Sequence, residues 1–120
     1  MTPKEKALEL YSNELTTKLE VKNIDSELLN KIVVKLGIAA YSTTSDSSKV
    51  SGNDQTEKDV VIAKLLVRDL GMTDATSEAL NAIVNDAIAV YGVSNPRKYR
   101  VPLYYMIITK LNKVEEYKAL

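Results

Sequence analysis

Apolar side chains recur at three- and four-residue intervals along almost the whole of this chain, and that spacing constrains its fold more than any other feature. Such a period lines one face of an α-helix, whereas a half-buried strand requires strict alternation. Leu8, Tyr11, Leu15 and Leu19 make a first stripe. Leu28, Leu29, Ile32, Val33, Leu36 and Ala40 make a second, and Leu80, Ile83, Val84, Ala87, Ile88 and Tyr91 a later one. Between them "VVIAKLLVRDL" (60–70) is apolar on more than one side, and it is expected to be the most buried helix.

Start and stop residues frame these stripes. Thr2 can cap a first helix with Pro3 at its first position, where a missing N–H does no harm. Ile24-Asp25-Ser26 marks the second entrance, Thr56 is the expected cap of a third helix, and Thr76 or Ser77 opens the fourth. Gly37 weakens the second helix near its end, and Gly71 and Gly92 are the stops of the later two. "STTSDSSKVSGNDQ" (42–55) is one long polar loop, mobile or functional by its length.

The segment "SNPRKYRVPLYY" (94–105) crowds three cations, three tyrosines and two prolines together. Asn95-Pro96 is expected to restart helix, Pro102 to break or kink it near Val101, and a final helix to run from about Pro102 to Tyr117. On that helix Leu103, Tyr104, Ile107, Leu111 and Val114 share an apolar face, and Tyr105 falls on the polar one. Arg100 then either leaves the core at a kink or reaches an acid such as Asp69 or Asp86, because a buried arginine is costly without a carboxylate. Two readings follow. Arg97, Lys98, Tyr99, Arg100, Tyr104 and Tyr105 form either a binding patch for an acidic or phosphate-bearing partner or a clamp that holds the last helix to the body; the clamp is preferred.

The expected fold is therefore all-α: one domain over 1–120, a small irregular bundle of about five helices ending in a proline-kinked helix. "SELLNKIV" (26–33) and "SEALNAIV" (77–84) agree at six of eight positions, and at the same offset of 51 Leu15 aligns with Leu66, Leu19 with Leu70 and Val21 with Met72. Either two related hairpins are closed by the last helix, or capping and periodicity simply make helices alike. The second is preferred.

Composition narrows the chemistry. The chain has no cysteine and no histidine, which removes disulfides, thiolate nucleophiles, and the commonest metal ligand and general base. No glycine-rich phosphate loop and no calcium-loop pattern appears, so no catalytic residue, cofactor or metal is expected. Sixteen cations balance sixteen anions, but residues 1–91 hold ten cations against fourteen anions, and from Gly92 onward six face two. No apolar run approaches the ~20 residues of a membrane span. A cytoplasmic protein without membrane association is expected.

"SNPRKYRVPLYYMI" also resembles the most recognisable segment of a family of small uncharacterised bacterial helical proteins, a domain of unknown function. The likeness rests on Ser94, Asn95, Lys98, Tyr99, Arg100, Tyr104 and Tyr105, supported by "KLLVRDLGM" (64–72) and "EKALELY" near the start. Pro96, Pro102 and the lack of a cysteine depart from the pattern. The resemblance implies a compact helical bacterial domain and brings no activity, cofactor or partner. The expected function is a non-enzymatic interaction module, monomeric or weakly dimeric, with a partner that is itself a protein. The alternative is a nucleic-acid binder using the basic C-terminal segment, against which zero net charge counts.

Overall fold

Thr2 opens the first helix as the sequence requires. Its hydroxyl accepts from the Glu5 N–H while the Glu5 carboxylate accepts from the Thr2 N–H, a reciprocal capping box with Pro3 beside it. The structure, a computed structural model, describes residues 2–41, 50, 55–92 and 98–120. Within them run α1 (Pro3–Thr17), α2 (Ser26–Leu36), a single turn α3 (Ile38–Tyr41), α4 (Gln55–Val61), a π-helical segment (Ile62–Asp69), α5 (Ser77–Tyr91), α6 (Arg100–Lys110) and a short α7 (Val114–Lys118). No strand occurs among the described residues, and five elements have seven residues or more once α4 and its π continuation are taken as one helix. The all-α bundle is as expected. No helix among the described residues is long and apolar enough to cross a membrane.

Several details differ from the sequence reading. Thr56 does not cap the third helix, which already begins at Gln55. That helix is also not the most enclosed, since Ala63, Lys64 and Arg68 face solvent. α6 is, with seven of its eleven residues buried. Pro102 makes no kink. It occupies the third position of α6, where the absent N–H would have had no intrahelical acceptor in any case. The break comes later, at Leu111–Lys113, where Asn112 takes φ +56° and the Lys113 N–H reaches back to the Ile108 carbonyl. The single helix expected from Pro102 to Tyr117 is therefore two, and α7 folds back against α2. Helix restart at Asn95-Pro96, and all of the polar loop except Val50 and Gln55, lie outside the described residues.

The π segment has no counterpart in the sequence reading. Its end is visible in the Leu70 N–H, which bonds the Leu65 carbonyl five residues back at 2.9 Å.

The internal echo reappears as geometry. After α1 the Val21 N–H bonds the Leu15 carbonyl, and after the π segment the Met72 N–H bonds the Leu66 carbonyl, both at 2.9 Å. Each link turns through a left-handed residue, Glu20 (φ +54°) and Gly71 (φ +67°). Asp25 and Thr76 then cap the next helices, accepting from Leu28 and Ala79 at 3.1 Å each. Every one of these pairs is 51 positions apart. Glu20 carries a Cβ where Gly71 carries none, so Glu20→Gly is expected to stabilise by about 1 kcal/mol and Gly71→Ala to cost a similar amount. Space is not the cause, because a Cβ at Gly71 would meet nothing within 4 Å. Urea midpoints of the two variants check this; equal shifts of one sign would refute it.

Candidate functional site

The C-terminal segment enters the fold through buried tyrosines. Lys98 is only 4 % exposed, and its carbonyl accepts from the Val50 N–H at 2.7 Å. The Tyr99 ring meets Tyr11 edge to face at 5.6 Å between centroids, and its N–H donates to the Tyr91 hydroxyl. Tyr91 in turn donates to Glu14 Oε1 at 2.7 Å, and Tyr11 donates to the Ala40 carbonyl at 2.5 Å. These bonds join α1, α3, α5 and the entrance of α6.

Tyr105 is not on a polar face. It is 3 % exposed, and its hydroxyl accepts from the Asp25 N–H at 2.8 Å. The break after α6 explains the difference: α7 returns alongside α2, and Lys118 Nζ reaches Asp25 Oδ2 at 2.8 Å. That hydrogen bond first, then the Leu28 N–H, holds the Asp25 carboxyl below the usual carboxylate range, and Asp25 in turn raises Lys118.

Arg100 and Tyr104, one helical turn apart on α6, face elsewhere. They line a recess of about 260 Å³ together with Lys35 of α2 and Lys64 and Arg68 of the π segment. Leu36, Ala39 and Val60 supply its apolar wall. Asp69 adjoins it, its side chain 6 % exposed, accepting from Arg68 Nε at 2.9 Å and Nη2 at 3.3 Å, with Lys35 Nζ at 4.0 Å. This pairing raises the Arg68 guanidinium. Asp86, the other acid considered for Arg100, lines a separate apolar groove between α5 and α6 with Ile83, Met106 and Lys110.

The phenols around the recess are unusual. The hydroxyls of Tyr104 and Tyr117 are buried, and among the described residues neither has an acceptor for its proton. Burial pushes both phenols up; at Tyr104 the Arg100 guanidinium beside it pulls the other way.

Of the residues singled out in the sequence, the structure brings Arg100 and Tyr104 together in the recess and sends Lys98, Tyr99 and Tyr105 into the packing. Arg97 lies outside the described residues. Lys35, Lys64 and Arg68 were not foreseen as site residues. Lys64 and Arg68 are four apart on one helix, a legible signal; Lys35 joins them only through tertiary packing. Among the described residues no group of three or more His, Cys, Asp or Glu is placed to hold a metal ion.

No curated protein matches this chain. A family model does match, over residues 10–115, under the description "Protein of unknown function (DUF2853)". The match takes in well over half of the chain, which therefore belongs to that family.

Proposed function

We propose that this domain is a non-enzymatic interaction module that binds an acidic protein segment through the recess between α2, α3, the π segment and α6. One observation carries the reading: on a chain of zero net charge, Lys35, Lys64, Arg68 and Arg100 converge on one concave surface beside the Asp69 carboxylate. Such a focus raises the local concentration of anions and speeds their capture. The apolar wall adds a place for the stem of an acidic side chain. Nucleic acid is the weaker alternative, because Tyr104 and Tyr105 are buried and offer no open ring on which a base would stack.

The test is titration of a labelled Asp/Glu-rich peptide, single-stranded DNA and duplex DNA at low and physiological salt. The peptide is expected to bind, and Lys64→Ala with Arg68→Ala to weaken it about tenfold or more, without loss of helix, since Lys64 and Arg68 are exposed. Tighter binding of DNA, lost in the same variants, would replace this reading with the nucleic-acid one. Binding of neither would overturn both.

A further inference from the structure

Cations alone do not specify which anion a surface takes; the arrangement of donors does. Here donors come from three elements, with Lys35 on α2, Lys64 and Arg68 on the π segment, and Arg100 and Tyr104 on α6. A carboxylate presents two oxygens in one plane. A phosphate monoester presents three terminal oxygens in a tetrahedral spread and about two negative charges at neutral pH. Against four cations and, among the described residues, the adjoining Asp69 carboxylate, the dianion is the better match in both charge and direction. The Tyr104 hydroxyl is a second, independent pointer. It belongs to a side chain 1 % exposed on the recess wall, the guanidinium beside it can only donate, and among the described residues nothing accepts its proton, a state that is costly for a buried polar group unless a ligand completes it. The π segment is a third, since π-helical turns gather at functional sites and are otherwise rare.

We infer that the recess is a site for a phosphate monoester, held by Lys35, Lys64, Arg68 and Arg100, with the Tyr104 hydroxyl as a neutral donor at its floor. The inference rests on the reading of this recess as the binding surface. The phenol stays protonated, because burial raises it, and so it can only donate toward an oxyanion. Phosphate would give that hydroxyl the acceptor it lacks and would compete with Asp69 for Arg68, whose side chain is 60 % exposed and able to swing. The same chemistry reaches the site from two sources, a phosphorylated protein segment or a small phosphate ester.

The experiment follows amide resonances of the full chain during titration with inorganic phosphate, O-phosphoserine, and an acidic peptide with and without one phosphoserine. Saturable shifts centred on residues 64–69 and 100–104 are expected with inorganic phosphate. Tyr104→Phe should weaken phosphate about fivefold to tenfold, as loss of one hydrogen bond requires, while its melting temperature holds or rises because a buried O–H without an acceptor is gone. A purely structural tyrosine would show the reverse pattern. The phosphopeptide binding more tightly than O-phosphoserine would identify a modified protein as the source, and equal affinities would identify a small ester. If the unphosphorylated acidic peptide binds but phosphate produces no saturable shift, or if Tyr104→Phe leaves phosphate affinity within about twofold, the phosphate site is overturned while the interaction module stands. If phosphate binds and no peptide does, the site stands and the protein-partner reading falls.

Discussion

Above pH 11 the domain is expected to lose stability at about 4 kcal/mol per pH unit or more. Four phenols act in this direction, and three of them are shifted far enough to contribute in full. Tyr11, Tyr91, Tyr104 and Tyr117 are each raised above the ordinary value of 10, in every case first by burial, to which a hydrogen bond with Glu14 adds at Tyr91. The folded state therefore keeps protons that the unfolded chain releases near pH 10, so the unfolded state binds fewer, and stability falls as pH rises. Each phenol contributes about 1.4 kcal/mol per unit once the solution passes its unfolded value. Lys118, raised by Asp25, acts in the same direction. Neither histidine nor cysteine is present to titrate between the carboxylates and the phenols, so a plateau from about pH 5 to 9 should precede the fall. Urea midpoints from pH 7 to 11.5, read beside tyrosinate absorbance, test it. Phenols ionising near 10 while the helical signal persists would refute it.

Tyr11→Ala is expected to destabilise by about 3–5 kcal/mol, a large part of what holds a domain of this size together. The ring is fully buried on α1, it packs edge-on against Tyr99, and its hydroxyl fastens the α3 turn through the Ala40 carbonyl. Tyr11→Phe keeps the ring and loses only the bond, so it should cost about 1 kcal/mol. A Tyr11/Tyr99 double-mutant cycle should return about 0.5–1.5 kcal/mol for the ring pair. An alanine variant that unfolds within about 1 kcal/mol of the parent would show that α1 and the C-terminal segment are not fastened at this point.

What was legible in the sequence was local. Thr2, Asp25 and Thr76 act within three residues of themselves, and the stripes of α1, α2 and α5 record a period that any burial would impose. Gly71 and Gly92 do take positive φ. The misreadings share one cause, which is that the decisive partner is remote in sequence. Pro102 is harmless because α6 begins two residues before it, a start set by packing. A helix running straight past Leu111 would leave Tyr105 on its polar face; in the fold its hydroxyl meets an amide 80 residues away. The recess joins Lys35 to Arg100, and no window of sequence contains both. A shift to five-residue hydrogen bonding leaves the apolar period almost unchanged, so the π segment was invisible.

The enclosure of α6 has a consequence for how the chain is made. This helix touches α1, α2 and α5, yet it emerges from the ribosome after all of them. Until it arrives, the faces of α1, α2 and α5 that it packs against have no lid, and a nascent chain halted at Gly92 would present an open greasy trough to whatever lies nearby. Holding factors should therefore engage the growing polypeptide late rather than early, and release it once the Tyr104 and Ile107 turns have slotted home.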